Sequence, residues 1–530
     1  MRILSRVFSS LRQPLAVLAL CVLAGCAGLP VIDRDDAFNG EAIPLSSGTT
    51  LGRIAATSLP SPELSGFRLM PLGTFSFDAR LQLARRAEVS LDVQYYHFAN
   101  DNSGRLLMRA LRDAANRGVR VRLFLDDLYN GGQDDFLLGF AAHPNVEVRL
   151  FNPFCCARAH GLPARFATSF PDWGRVNHRM HNKLFVADGA MAIIGGRNVA
   201  DEYYLRSMNE NFIDVDAFTV GFIVAPLQAL FDRYWNSAAA YPLTAVAHSA
   251  LSRTELMAQF DELTGPAHTP APDKLASNDI LGYGPIADDL DGGRLGLIWG
   301  AAYVFADHPD KPFDDPHGEL AETSVTYNVY EAIRMARTEV VASSPYFVPG
   351  KNGMALLRSL RARGVKVTLL TNSLAATDEF IVHVGYSRYR EELLRIGVDL
   401  YELSGRRVKQ NMHPFLFGAS LGRLHAKLVV IDRKTSFIGS MNLDPRSASV
   451  NTELGAVVDS PELARELIHI IDIDRLQSAY RVRLSPLTGQ LEWLSMDDEK
   501  EMVLHSEPDS TRFLRFKSWL LSPLIPDELL

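Results

Sequence analysis

Two short stretches of the chain set an imidazole and an ammonium two residues apart: His181-Asn182-Lys183 and His425-Ala426-Lys427. In an extended strand, side chains at i and i+2 share a face, so each stretch would present both groups together. An imidazole can attack or protonate, and an ammonium can neutralise negative charge. Present twice, the set suits one phosphate bracketed from two sides. The surroundings repeat as well. At one constant shift of 244 residues, Asp188 answers Asp432, Gly195 answers Gly439 and Asn198 answers Asn442. Chance similarity of two buried strands would explain shared Val and Ile, but not matched His, Lys, Asp, Gly and Asn. The candidate catalytic set is therefore His181, Lys183, Asp188, His425, Lys427 and Asp432.

Within that set the aspartates stand apart. Asp188 lies seven residues after His181, where an unbroken strand would aim it at the opposite face, and Asp188-Gly189 is a hairpin-turn signal. Asp188 and Asp432 thus read as turn or scaffold carboxylates. A later acid is the better partner for each histidine, Asp214 in the first half and Glu453 in the second, because a carboxylate on one ring nitrogen fixes the tautomer and raises the basicity of the other. Together with the amides of Asn198 and Asn442, which can hydrogen-bond a phosphate, Asp214 and Glu453 form the expected substrate-binding set.

The elements that must position these groups also occur twice. Ala87-Glu88-Val89 opens a β-like run ending Tyr95-Tyr96-His97-Phe98, and Thr338-Glu339-Val340 opens one ending Tyr346-Phe347. Each leads through a glycine, Gly104 or Gly353, into a pattern with apolar residues at i, i+3 and i+4. Arg117-Gly118 and Arg363-Gly364 close these helices, and a strand follows each, from Val119 to Leu125 and from Val365 to Leu370. Strand–helix–strand twice predicts an α/β fold of two duplicated domains. Each would hold a mixed, largely parallel sheet flanked by helices, with one active site shared at their interface.

A length of 530 residues exceeds one ordinary core, in line with two domains. The net charge of -8 offers no global attraction to nucleic acid, and no nucleic-acid partner is expected. Arg2, Arg6 and Arg12 precede an apolar run and then Leu23-Ala24-Gly25-Cys26, which reads as a lipoprotein-type signal peptide over residues 1–25 with acylation at Cys26. The remaining expected divisions are a linker over 26–75, a first domain over 76–245, a second linker over 246–295, a second domain over 296–500 and an amphipathic segment over 501–530. Cys155 and Cys156 are read as structural thiols or a vicinal disulfide, without a chemical role.

The doubled H-x-K-x4-D pattern, each copy followed by Gly and Asn at equal distances, resembles the phospholipase D superfamily. More narrowly, the chain is similar to bacterial cardiolipin synthases of the C-type branch. The stretches that carry this are Leu91-Asp92-Val93-Gln94-Tyr95-Tyr96, Arg179-Met180-His181-Asn182-Lys183, Gly195-Gly196-Arg197-Asn198, Ser344-Pro345-Tyr346-Phe347-Val348-Pro349 and Thr371-Asn372-Ser373-Leu374-Ala375-Ala376-Thr377-Asp378. Gly439-Ser440 departs from the doubled glycine. The resemblance implies phosphatidyl transfer through a phosphohistidine, with His181 the nucleophile and His425 the acid and base, no cofactor and no metal. It implies membrane phospholipids as partners (phosphatidylglycerol, with phosphatidylethanolamine as the second lipid), while the need for an accessory protein stays open. By the same resemblance Thr377, Asp378, His383 and Tyr386 line a head-group pocket, and Ala27 after the cysteine favours outer-membrane sorting, facing the periplasm.

The basic and aromatic stretch from Arg512 to Leu521 fits either a membrane interface or a helix docked on the second domain. Two rival functions remain at the level of sequence. One keeps the chemistry and changes the substrate, giving an exported hydrolase or nuclease. The other is a lipid-tethered binding protein without catalysis, against which both intact motifs stand.

Overall fold

A computed structural model describes residues 28–34, 39–272, 274–311, 323–411, 420–497 and 500–526. The signal peptide and Cys26 lie outside the described residues.

The first half contributes β1 (Ser65–Met70), β2 (Ser90–Tyr95), β3 (Arg120–Asp126), β4 (Val146–Phe151), β5 (Leu184–Ala187), β6 (Met191–Gly195), β7 (Glu210–Ile213), β8 (Asp216–Gly221) and β9 (Ala240–Pro242). Between β2 and β3 runs the helix Asn102–Asn116, whose periodic Leu106, Leu107, Ala110 and Leu111 are buried. Asp101 caps it by accepting from the Gly104 amide, and Gly118 ends it at φ 99°, a left-handed turn that suits glycine. The second half repeats the plan with β10 (Ile298–Ala306), β11 (Glu339–Ser343), β12 (Lys366–Asn372), β13 (Asp399–Leu403), β14 (Leu421–Leu424), β15 (Leu428–Ile431), β16 (Thr435–Gly439), β17 (Leu454–Asp459) and β18 (Ala479–Leu484). The helix Gly350–Ala362 stands between β11 and β12 and gives way to Gly364 at φ 81°. Two further strands, β19 (Leu491–Asp497) and β20 (Lys500–Leu504), extend the second half.

Hydrogen bonding orders the first half β9-β4-β3-β2-β5-β6-β8-β1 and the second β10-β17-β16-β15-β11-β12-β13-β18-β19-β20. β1 pairs antiparallel with β10, Gly66 opposite Trp299, so all 18 of these strands form one sheet with the two halves joined edge to edge. The sheet is mixed, as expected, but its parallel part is confined to β2-β3-β4 and β11-β12-β13. A parallel pair needs a long crossover, whereas β5–β6 and β15–β16 close through short turns and are antiparallel by necessity.

Both stretches read as linkers are built into the fold. Within 26–75, β1 lies in the sheet with Phe67 and Leu69 buried, and within 246–295 the helix Arg253–Thr264 stacks Phe260 on Phe136 of the first domain. β1 is buried on both faces and so lacks the alternation that reveals a strand. One hydrophobic cluster fills the first half and one the second, while another runs through both, joining Phe67, Phe124 and Ile194 to Leu370, Leu428 and Ile470. Cys155 and Cys156 are half-buried thiols in the loop after β4.

Asp188 and Asp432 occupy the β5–β6 and β15–β16 turns at φ 51° each. The Asp188 carboxylate accepts from the amides of Glu88, Val89 and Ser90, and that of Asp432 from Arg337, Thr338 and Glu339. Each therefore ties its turn to the start of the neighbouring strand, β2 or β11, and neither reaches the cleft described below. Their place in the candidate catalytic set is corrected accordingly. Removing such an acceptor strands several amides, so Asp188→Ala should lower the unfolding free energy by about 3 kcal/mol. The more exposed Asp432→Ala should lower it by about 1 to 2 kcal/mol. Urea denaturation checks both, and lost turnover at unchanged stability would return these aspartates to the reaction.

Candidate active site

His181 and His425 sit just before β5 and β15, in extended segments pinned by the opposite half. The His181 amide donates to the Thr452 carbonyl at 2.8 Å and Thr452 donates back to Arg179 at 3.0 Å, while the His425 amide donates to Ile213 at 2.7 Å. Below these crossings, β7 and β14 pair in parallel across the halves, Ile213 opposite Leu424.

These backbone crossings decide the carboxylate partners. His181 Nδ1 lies 2.9 Å from Glu453 Oε2, and His425 Nδ1 lies 2.6 Å from Asp214 Oδ2. Each acid was expected to serve the histidine of its own half, yet each serves the other half's. The reason is register: Thr452 and Ile213, one residue before each acid, are the residues that hold the opposite histidine. Both carboxylates are fully buried. Burial alone would raise Glu453 and Asp214, but the imidazoles and lysines beside them outweigh it and hold both below the usual carboxylate range. The departure at Gly439-Ser440 also has a use. The Ser440 hydroxyl donates to Glu453 Oε2, whereas a side chain on the equivalent Gly196 would collide with Asp214.

Both rings are neutral near pH 7. Burial drives His181 down to about 4 despite Glu453, with Lys183 and Lys427 adding to the effect. His425 is also lowered, by burial and by Lys427, but Asp214 and Asp378 oppose the shift. With Nδ1 held by a carboxylate, Nε2 is the free ring nitrogen of each. Tyr96 stands edge-on to His181 at 5.0 Å and Tyr203 to His425 at 5.1 Å.

Lys183 and Lys427 are buried and turn back onto the backbone of their own motifs. Each ammonium donates to the carbonyl of its own histidine, at 2.6 and 2.5 Å. Burial pulls Lys427 down to about 8 and Lys183 well below its ordinary value, so an arriving phosphate would strengthen the hold of both on their protons. The amides differ between halves. Asn198 accepts from the His97 amide and donates to Tyr203, whereas Asn442 Oδ1 is buried with no hydrogen-bond partner and remains available to a ligand.

His181, His425, Asn198 and Asn442 line one cleft of about 470 Å³. Apolar Leu128, Phe212, Ile381 and Val382 line it too, with the acids Glu202, Asp378, Glu379 and Asp444. Of the expected head-group residues, Asp378 lines the cleft, its carboxylate accepting from Tyr346 at 2.6 Å, while Thr377 turns back on Glu379. His383 and Tyr386 do not line it. They are buried around Arg390, with Tyr386 donating to Glu402 and His383 within 2.7 Å of Arg390, because a buried guanidinium with acids on both sides draws the polar groups of that helix inward. His97 was missed as a site residue. It lies two residues beyond the end of β2, its ring packs 4.7 Å from Tyr129 in the cleft, and burial beside Lys183 lowers it to about 4. The available signal was its place at the carboxyl end of a parallel strand, where α/β sheets bind ligands.

A family model described as "Cardiolipin synthase, PLD-like domain" matches residues 81–235 and 329–474, one match per half. Cardiolipin synthase C of Escherichia coli (strain K12) is 37% identical over 487 residues, covering 90% of this chain and 99% of that protein. An uncharacterized protein of Helicobacter pylori (strain ATCC 700392 / 26695) is 30% identical over 532 residues, covering 97% and 99%. Among solved structures, phosphatidylserine synthase of Haemophilus influenzae Rd KW20 superposes with a TM-score of 0.55 at 11% identity, covering 91% of this chain and 99% of that one, a likeness of fold.

The crossed pairing is measurable without substrate. Double-mutant cycles on unfolding free energy, using alanine at each position, should give couplings of about 1 to 3 kcal/mol for His181 with Glu453 and for His425 with Asp214. The same-half combinations, His181 with Asp214 and His425 with Glu453, should couple distinctly less. Equal couplings would contradict the crossing.

Proposed function

The chain belongs to the family of cardiolipin synthases with phospholipase D-like domains and is a phosphatidyltransferase of that kind, and we propose that it makes cardiolipin through a phosphohistidine. The observation that supports this most is the pair of neutral histidines, each with Nδ1 on a buried carboxylate and Nε2 free, lining one cleft.

His181 is the nucleophile. His425 takes up a proton on Nε2 as the anionic phosphate arrives beside it. The Nε2 lone pair of His181 then attacks phosphorus of the donor phospholipid, the bond to the head-group oxygen breaks, and that oxygen takes the proton from His425. The roles follow from the fields. Burial, with Lys183 and Lys427 adding to it, keeps His181 neutral, while Asp214 and Asp378 oppose the lowering of His425 and favour a proton there. A hydroxyl of phosphatidylglycerol then enters, His425 takes its proton, the oxygen attacks phosphorus and the bond to His181 breaks. Lys183 and Lys427 supply positive charge near the phosphate, and the free Oδ1 of Asn442 can accept from a lipid hydroxyl.

The rim of the cleft bears on the donor. Glu202, Asp378 and Glu379 outnumber Arg446 among the lining residues and would repel a second anion but attract an ammonium, which favours phosphatidylethanolamine as donor over phosphatidylglycerol. The same rim disfavours a polyanionic nucleic acid, leaving hydrolysis as the main rival. Mixed vesicles of the two lipids, followed by mass spectrometry, should yield cardiolipin and free ethanolamine from wild type. His181→Ala and His425→Ala should each lose at least about a hundredfold in rate, and wild type quenched during turnover should carry a phosphatidyl group on His181 that His181→Ala lacks. Phosphatidic acid as the sole product would mean a hydrolase.

We also assign the protein to the bacterial envelope, held by acylated Cys26 and facing the periplasm, with the outer membrane favoured. Among the described residues no helix is long and apolar enough to cross a membrane. Intact mass of the mature chain should show an acyl adduct that Cys26→Ser removes, and an unmodified wild-type mass would sink the anchor.

A further inference from the structure

The helix Arg512–Leu521 carries its apolar residues on the outside. Phe513, Phe516 and Leu520, spaced i, i+3 and i+7 along one face, are 73%, 55% and 49% exposed, and Trp519 on the flank is 71% exposed. A helix docked for stability alone would turn that stripe inward. Arg512, Arg515 and Lys517 share the helix, and it contains no acidic residue. Its position is fixed at the edge of the cleft. Lys517 Nζ lies 4.4 Å from the ring of Phe380, and Arg388 donates to the Ile525 carbonyl at 2.7 Å just beyond the helix. Phe380 begins the helix Phe380–Ser387, whose next residue, Ile381, is 49% exposed and lines the cleft. On the first-half side, exposed Phe170 and Trp173 lie in a segment that packs through Phe166 against Phe154 and Leu128, and Leu128 also lines the cleft.

We propose that the C-terminal helix is a bilayer-docking surface that seats the mouth of the cleft on an anionic phospholipid membrane. The inference rests on the phosphatidyl-transfer reading above. Its physical basis is the combination of a large outward apolar face, cationic side chains without acidic ones, and continuity with apolar residues of the cleft itself. Buried apolar rings and basic side chains at the head-group level are how an interfacial helix holds to lipid. A substrate whose acyl chains stay in the bilayer would then reach the histidines by rising a short distance along Ile381 instead of leaving the membrane.

The test uses the full chain and two substrates. Phe513→Ser, Phe516→Ser and Leu520→Ser together, and separately Arg512→Glu with Lys517→Glu, should cut turnover on vesicles of phosphatidylglycerol and phosphatidylethanolamine by about tenfold or more. Turnover of dihexanoyl phosphatidylglycerol and phosphatidylethanolamine below their micelle concentration should stay within about twofold, since these side chains do not line the cleft. In parallel, vesicles of brominated phosphatidylglycerol should quench the fluorescence component lost in Trp519→Phe. Unchanged vesicle turnover, equal loss on both substrates, or an unquenched Trp519 would each overturn the proposal. So would a smaller solution mass for the triple-serine variant than for wild type with vesicle turnover retained, which would make the face a contact with a second copy. Quenching does not depend on turnover. A quenched Trp519 in a protein that converts neither lipid would retain the docking surface while sinking the phosphatidyl-transfer reading.

Discussion

Two carboxylates buried away from water, each compensated by a histidine from the other half, are the constraint around which this molecule is arranged. A fully buried carboxylate is costly unless charge and hydrogen bonds surround it. Glu453 meets that demand with His181, Ser440 and Ser447, and Asp214 with His425 and its own neighbouring amide. Neither half can complete this arrangement by itself. The crossed backbone bonds, the parallel β7–β14 pair and the hydrophobic cluster common to both halves all serve to bring the acids and the histidines into register.

The same geometry divides two chemically similar rings into two tasks. Both start neutral, but burial drives His181 down to about 4, whereas two carboxylates, Asp214 and Asp378, oppose the lowering of His425. Symmetry from duplication is thus broken where it matters, by Asp378 on one side and by the different partners of Asn198 and Asn442. The broken symmetry extends to the rim, where acids gather next to apolar residues from the helix Phe380–Ser387.

Much of the fold and of the site was readable from residue order. The His/Lys spacing, the paired strand–helix–strand units and the closing glycines are local features, and local features survive translation into structure. Asp188 and Asp432 were legible too, since a turn signal and a seven-residue offset both spoke against the reaction. What escaped depended on tertiary distance. Nothing in the order of residues says that Glu453 will face His181 more than two hundred and fifty positions away, because that follows from the register in which two domains meet. His383 and Tyr386 suited a head-group pocket until Glu507, remote in sequence, joined Arg390 and drew them into the interior. β1 hid for the opposite reason: a short strand buried on both sides has no pattern to show.

The seam between β1 and β10 has its own meaning when the protein is heated. With Gly66 opposite Trp299 and one apolar cluster spanning the join, melting either half would strip hydrogen bonds and cover from the other. Domains joined by a loose tether lose structure in separate steps, each at its own temperature. Here the two copies are arranged to share a single cooperative transition. Thermal resistance would then belong to the whole chain, and a weak spot in one copy would set the tolerance of both.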